Sequence, residues 1–386
     1  LTSARSAEWA LLAGNFAIGC GVMVVAGCLN DLVRSLQVSV PAGGQLITVA
    51  AVTMCVGAPL LAAAVGGWDR RRLLTLSLLW FGVGHAVSAL APSLAVLLPL
   101  RAVTVLGAAI FTPQAAAAIG VMVPSDQRGR AITFVFLGWS VASVVGMPLH
   151  SYVGEAFGWR WAFALVALFA FAAAAAVWRA MPDGIRPAAV SLASWRTILT
   201  HPVLMGIVLV TALSGAGQFT VFSYFAPYFA QELHASAGQI SLLFLWFGLF
   251  GLIGNIVLSR RIDQIGAARA VMVMLGAIAL SLLAWPLASS VAAMFIVIVP
   301  WALGCFSSNS AQQARASMAN PAYAPAMMAL NSSAIYLGQA AGAASGGVMV
   351  AGSGYAALSW VGLVWMLLAM GLSLWVARKM GGRHDV

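Results

Sequence analysis

Long apolar stretches, each near the length that crosses a bilayer, follow one another along the chain, with polar residues gathered in the gaps between them. A spanning helix needs about 20 apolar residues. Such stretches run from Trp9 to Leu29 (span 1), Gly44 to Gly66 (span 2), Leu73 to Leu90 (span 3), Leu94 to Met122 (span 4), Ala131 to Tyr152 (span 5) and Trp161 to Trp178 (span 6). Six more follow: Val203 to Phe229 (span 7), Ile240 to Leu258 (span 8), Ala270 to Ala288 (span 9), Val291 to Ala314 (span 10), Ala326 to Val350 (span 11) and Ala356 to Ala377 (span 12). The period-two polarity of barrel strands is absent, so helices must satisfy the backbone inside the membrane. The pattern predicts an all-α polytopic membrane protein with twelve transmembrane helices. The first stretch is too long for a cleavable signal peptide and leads straight into a second.

Charge sharpens this picture. All nine carboxylates and eighteen of the nineteen basic residues lie between or beside the stretches, which leaves Arg101 as the one formal charge set inside a span. The chain is 62% hydrophobic and 7% charged, whereas roughly a quarter of a soluble domain's residues are charged. No soluble core of this size could hide so much apolar surface. With the N-terminus inside, sixteen Lys and Arg residues fall on the cytoplasmic side and only Arg34 and Arg160 on the other. Basic residues are retained on the cytoplasmic face, so both termini are expected there. The same bias, with an anionic inner leaflet, accounts for the net charge of +10 without a nucleic-acid partner. Cys20, Cys28, Cys55 and Cys305 all fall in apolar stretches and read as small buried hydrophobes. There is no phosphate loop, no His-Glu-x-x-His and no Ser/His dyad with local context, so no enzyme, cofactor or metal site is expected.

The chain repeats at about half its length. Gly19-Cys20-Gly21 in span 1 matches Gly215-Ala216-Gly217 in span 7, Asp69 after span 2 matches Asp263 after span 8, and Gly146 matches Gly342. Six helices per copy give two parallel halves, residues 1–180 and 203–386, joined by a cytoplasmic linker at 181–202. Rocker-type transporters are built this way, with the solute site near the midplane between the halves.

Gly158-Trp159-Arg160-Trp161-Ala162-Phe163 opening span 6, and Pro124-Ser125-Asp126-Gln127-Arg128-Gly129-Arg130-Ala131 between spans 4 and 5, resemble motifs of the major facilitator superfamily. Arg101 with Gly107-Ala108-Ala109, and Gly146-Met147-Pro148, are similar to its span 4 and span 5 motifs. Leu330-Asn331-Ser332-Ser333 with Gly338, Gly342, Gly346 and Gly347 resembles span 11 of the arabinose and sugar-efflux branch of twelve-helix drug/proton antiporters. The resemblance implies a monomeric transporter of a bacterial inner membrane whose partners are a small solute, protons and lipid. It also implies that Asp69 meets the N-terminus of span 11, and that Arg70 and its neighbours meet Asp126, with Arg128 and Asp263 in the matching loops. Two departures stand out: Val65 and Arg72 replace the glycines that usually flank Asp69, and Val22 stands where relatives carry an acid.

That missing acid moves the coupling candidates to Asp31, at the outer end of span 1, and Arg101. An arginine in hydrocarbon costs roughly 2.5 to 3.5 kcal/mol on insertion scales, so Arg101 should face the bundle interior. Its stem could reach toward Asp31, and a gated Arg101–Asp31 pair is expected. The competing reading is Arg101 bonded to helix carbonyls. Among the histidines, His85 reads as a packing residue, His150 sits at the outer end of span 5, and His201, His234 and His384 fall in loops or the terminus. Around the cavity, the expected lining is Asn15, Phe16, Arg101, Phe111, Gln114, Trp139, Gln218, Phe219, Phe222, Tyr224, Trp246, Phe306, Asn309 and Tyr336. Aromatic faces and neutral amides suit an uncharged or weakly cationic amphipathic solute. Gly215, Gly217, Pro227 and Pro113 are expected to let spans 7 and 4 bend. Export of a drug-like or sugar-like solute by proton antiport is the first expectation. A uniporter or metabolite importer is the alternative, and a channel or receptor on the same fold the remote one.

Overall fold

The computed structural model describes residues 2–38, 40–186 and 191–381, and these form helices joined by short turns. Arg383 and His384 lie outside the described residues. Among the described residues, eleven helices are long and apolar enough to cross a membrane. The twelfth, Ala324–Ser353, is 30 residues long but carries the Asn331-Ser332-Ser333 run and a row of glycines, which lower its hydropathy. Side chains such as Leu60, Trp80, Leu280 and Val364 are exposed on the outer surface. In a lipid solvent that is the favourable arrangement, since only the backbone needs internal partners.

Spans 1 to 4 are the helices Thr2–Ser35, Val40–Ala64, Arg70–Ala89 and Leu94–Met122. Span 1 is kinked at Cys28, whose backbone leaves the helical region (φ −118°, ψ 18°). Span 5 runs from Arg128–Val141 through a π-helical turn, Ala142–Gly146, into Met147–Phe157; span 6 is Trp159–Ala180. A short helix, Leu192–Thr200, precedes span 7, which is Pro202–Phe222 followed after a turn by Phe225–Gln231. Spans 8 and 9 are Ala237–Ile265 and Ala267–Ala284. Span 10 is broken at Ile298 into Val291–Val297 and Val299–Ala319, because Pro300 supplies no amide to continue the first segment. Span 12 is Leu358–Gly381.

Two compact units emerge: 1–191 with Ala322–Ser333, and 192–321 with 334–386. Within the first, span 3 packs on spans 4 and 6, span 1 on spans 5 and 6, and span 2 on span 4. Within the second, span 9 packs on spans 10 and 12, span 7 on span 12, and span 8 on span 10. Each of these second-unit pairs repeats a first-unit pair six helices on.

Glycine sets the closeness of this packing. A Cβ at Gly338, Gly342 or Gly346 of span 11 would overlap the carbonyl oxygens of Ala212, Ala216 and Thr220 in span 7. Backbones touch there, as small residues permit in membranes. Gly215 and Gly217, expected as hinges, are close-approach positions instead: their Cβ atoms would lie 3.3 Å from Gly338 Cα and 2.8 Å from the Gly362 oxygen. Span 4 remains one continuous helix through Pro99 and Pro113.

Candidate functional site

Arg101 is 1% exposed and His85 fully buried. The guanidinium of Arg101 donates from Nη1 to the Gly21 carbonyl at 2.9 Å and from Nη2 to the Val22 carbonyl at 3.0 Å. Nη1 also lies 3.3 Å from His85 Nε2. On the far side of that ring, Nδ1 is 2.9 Å from the Phe81 carbonyl. A carbonyl only accepts, so Nδ1 carries the proton; Nε2 is then a lone pair that receives from Arg101. The tautomer is fixed by its two neighbours.

Local sequence builds this contact. A Cβ at Gly21 would lie 2.5 Å from the Phe81 ring and 2.9 Å from His85 Cε1, so only glycine lets span 1 bring its carbonyls this near. Gly107 of span 4 approaches the Ser77 carbonyl of span 3 in the same way. Phe81 and Phe163 flank the imidazole, with ring centroids 4.3 and 5.7 Å away. Three acceptors thus offset the cost of an arginine in hydrocarbon. One of the three is the carbonyl of Val22, the position where relatives carry an acid.

Asp31 is engaged elsewhere, which corrects the expected pair with Arg101. Its Oδ2 accepts from the Trp159 amide at 2.7 Å, the first turn of span 6. Gly158 makes that turn with φ 96°, a left-handed conformation that favours glycine. Arg160 then donates to the Ala91 carbonyl at 3.0 Å and lies 4.5 Å over the Trp159 ring. A carboxylate at a helix N-terminus gains a charge-assisted bond and the dipole together, so Asp31 docks span 6 on span 1. The Gly158-Trp159-Arg160 motif is the receiving end.

The loop after span 2 also differs from expectation. Asp69 caps its own following helix, accepting from Arg72 N at 3.1 Å, and accepts from the Gly184 amide at 2.8 Å. Arg70 turns back on its loop and donates to the carbonyls of Trp68 (2.8 Å) and Gly66 (3.1 Å). Arg71 donates to the Trp178 carbonyl at 2.7 Å and pairs with Asp183 at 3.5 Å. These residues tie span 3 to the segment after span 6; they are corrected from the expected partners, the span 11 N-terminus and Asp126. Asp126 is exposed in the 3-10 turn Ser125–Gln127 that precedes Arg128, and Asp263 sits in the last turn of span 8.

The expected lining residues divide by how their polar atoms are satisfied. In the first unit, Asn15 donates to the Val135 carbonyl at 3.2 Å and accepts from Thr112 at 2.9 Å, joining spans 1, 4 and 5. Phe111 is buried against Gly14, and Phe16 packs on Phe169 of span 6 at 5.3 Å. Gln114 is fully buried with neither amide atom hydrogen-bonded, and Trp139 Nε1 is buried without a partner. In the second unit, Gln218 accepts from Trp301 Nε1 at 3.2 Å, and Tyr224 donates to the Ala343 carbonyl at 2.8 Å. Phe219 and Phe222 belong to an aromatic cluster with Phe225, Phe244 and Phe247. Trp246 donates to the Phe295 carbonyl at 2.9 Å, Phe306 packs on Gly251, and Asn309 and Tyr336 are half-buried. Asn15, Gln218, Tyr224 and Trp246 are thus each held by a partner in their own bundle, which stabilises a polar group among apolar surroundings.

Four polar residues have contacts or burial that the sequence did not predict. His85 is one; it and Arg101 sit one to two turns from the same short loop, in neighbouring antiparallel helices. Arg315 is another, and corrects the view of Arg101 as the one charge inside a span. The helix of span 10 continues to Ala319, and Arg315, 3% exposed, donates to Ser373 Oγ at 2.8 Å and its carbonyl at 3.2 Å. Gln312 donates to the Ile207 carbonyl and Thr211 at 2.9 and 3.0 Å, and Gln313 is fully buried with both amide atoms unpartnered. The Gln-Gln pair in an otherwise small-residue helix was the available signal.

The chain matches the Major Facilitator Superfamily over residues 11–228 and 207–384. It is 29% identical over 375 residues to the inner membrane transport protein YdhP of Escherichia coli K12, covering 96% of this chain and 95% of that protein. It is 34% identical over 278 residues to a chloramphenicol resistance protein of Streptomyces lividans, covering 70% and 69%. A probable sugar efflux transporter of Mannheimia succiniciproducens is 29% identical, covering 88% and 86%. Among solved structures, the human organic anion transporter MFSD10 superposes with a TM-score of 0.80 at 15% identity, covering 96% of this chain and 99% of that one. The proton:xylose symporter XylE gives 0.76 at 16% identity, covering 95% and 94%. The chain therefore belongs to the major facilitator superfamily, whose members are membrane transporters of small molecules and not enzymes.

Proposed function

We propose that this major facilitator superfamily member exports a small, uncharged or weakly cationic amphipathic solute by proton antiport, with His85 as the group that exchanges the proton. The observation that carries the reading is the Arg101–His85 contact. Arginine has only donors, so the contact exists only while Nε2 is a lone pair. A proton on Nε2 turns an acceptor into a donor facing a guanidinium. Protonation therefore disfavours the present position of Arg101, because the protonated ring repels the guanidinium and competes with it for the Gly21 carbonyl.

Displacing Arg101 releases the Gly21 and Val22 carbonyls of span 1, so a proton on span 3 is felt by span 1. The other titratable groups nearby are His150 of span 5, and Cys28 and Asp31 of span 1. Efflux-named relatives support the direction of transport, and the buried amide of Gln114 supports a neutral hydrogen-bonding solute. Cytoplasmic termini follow from the distribution of arginines. A uniporter without proton coupling is the second reading, favoured by Val22.

Counterflow in proteoliposomes tests this, with chloramphenicol and arabinose as the first probes. Uphill movement should follow an imposed pH gradient. Equal uptake with and without the gradient would support facilitation instead.

A further inference from the structure

On the outer face of the first unit, between spans 3 and 6, a groove of about 510 Å³ runs along the helices. Leu76 and Leu79 line one wall, Phe171 and Trp178 the other, and the small exposed side chain of Ala175 leaves the trough open between them. At the Arg72 end the groove meets a second cleft of about 330 Å³, which shares Arg72 and Leu76 and adds Trp68 and Arg186. From Leu79 to Arg72 is seven residues, about 10 Å along a helix. That is within the roughly 15 Å of hydrocarbon in one leaflet. The groove is apolar where the acyl chains are and basic where the phosphates are.

The charges at this end are unequal in their occupation. Arg70 is turned onto its own loop carbonyls, and Arg71 is engaged by Asp183 and by the Trp178 ring 4.3 Å away. The guanidinium groups of Arg72 and Arg186 are exposed, and no hydrogen bond or ion pair holds them among the described residues. Asp69, which also lines the cleft, has both carboxylate oxygens occupied by the Arg72 and Gly184 amides and is 6% exposed. The cleft therefore presents two free cations against one capped anion. Trp68 and Trp178 flank it, and tryptophans beside basic residues are common where a helix meets the headgroups.

We propose that this groove is a binding site for one anionic phospholipid, its phosphate between Arg72 and Arg186 and an acyl chain between Leu76 and Leu79 on one side and Phe171 on the other. The Arg71–Trp178 contact holds one wall in place. A zwitterionic lipid would fill the same trough but bring a cation of its own to the two arginines. Because the site is formed by span 3, span 6 and the segment after span 6, bound lipid would clamp these three together.

Native mass spectrometry of the purified full chain, equilibrated in detergent with equal phosphatidylglycerol and phosphatidylcholine of identical chains, tests the proposal. Phosphatidylglycerol should be retained in preference. Arg72→Gln or Arg186→Gln should each weaken that preference about fivefold, and the two together about 25-fold, since a basic residue near an anionic surface contributes about 1 kcal/mol. The double lysine variant should keep it. Ala175→Phe should remove retained lipid of either headgroup by filling the trough from its exposed floor. As a control for bulk charge, Arg261→Gln with Arg269→Gln, both exposed and both in the second unit, should leave the preference intact. Equal retention of the two lipids by the wild type, an unchanged preference in Arg72→Gln/Arg186→Gln, or lipid retained by Ala175→Phe would overturn it.

Discussion

The seam between spans 1 and 5 and the seam between spans 7 and 11 are built alike and filled differently. In the first, a Cβ at Gly138 would overlap the Leu12 carbonyl, and one at Gly146 would lie 2.6 Å from Cys20 Sγ. In the second, Gly338 and Gly346 meet the carbonyls of Ala212 and Thr220. The sequence separation of the touching residues is 126 in both seams (12 to 138, 212 to 338). Beside the second seam, Thr220 and Ser345 hydroxyls pair at 3.0 Å and Tyr224 reaches Ala343. Beside the first, Arg101 reaches the span 1 carbonyls and an imidazole. The second unit's buried arginine, Arg315, reaches Ser373, which has no proton to exchange near neutral pH. Glycine packing is common to the halves and sets the fold; the titratable insert belongs to one half, and on it rests our proposal of proton coupling.

The largest effect should come from attacking what the seams share. Gly138→Val and Gly342→Val both push a side chain into backbone that cannot yield, so each should cost about 3 kcal/mol, at the upper end of overpacking. Thermal unfolding in detergent should show a large loss for both; a tolerated substitution in one seam would break the equivalence. Next come the two arginines. Arg101→Gln should abolish gradient-driven transport while counterflow persists, and Arg315→Gln should lower stability with the response to pH unchanged. If both variants lose only coupling, the halves are not divided as described.

Smaller effects sharpen the same contrast. Asp31→Asn should destabilise by about 1 kcal/mol through a weaker cap on span 6, with no change in pH dependence. A shifted pH dependence at unchanged stability would restore an Asp31–Arg101 pair. Tyr224→Phe removes one neutral hydrogen bond beside the second seam and should cost about 1 kcal/mol. Its measurable effect should be confined to unfolding temperature.

Legibility in the sequence followed the kind of physics involved. Apolar run length reports membrane crossing directly, so the twelve spans and their pairing by repeat could be read from the chain. Side-chain partners across helices could not. Asp31 was expected opposite Arg101 because both lie toward the same side of the membrane, but depth does not say which face of a helix a residue occupies. Arg315 looked like a loop charge because an arginine ends an apolar run, although its helix continues another turn. Gly215 and Gly217 looked like hinges because glycine favours both bending and close approach, and only the neighbouring backbone distinguishes the two. His85 looked like packing because its partner lies sixteen residues away across a turn.

The central claim is that the proton rides on the one imidazole that touches Arg101. His85→Asn keeps a neutral polar side chain of similar reach and removes the titratable nitrogen. Counterflow of a transported probe and its uphill movement under an imposed pH gradient should be measured on the same His85→Asn proteoliposomes, beside the wild type. The account predicts that counterflow survives and that the gradient no longer drives uphill movement. Uphill movement in His85→Asn that follows the gradient as the wild type does would contradict it.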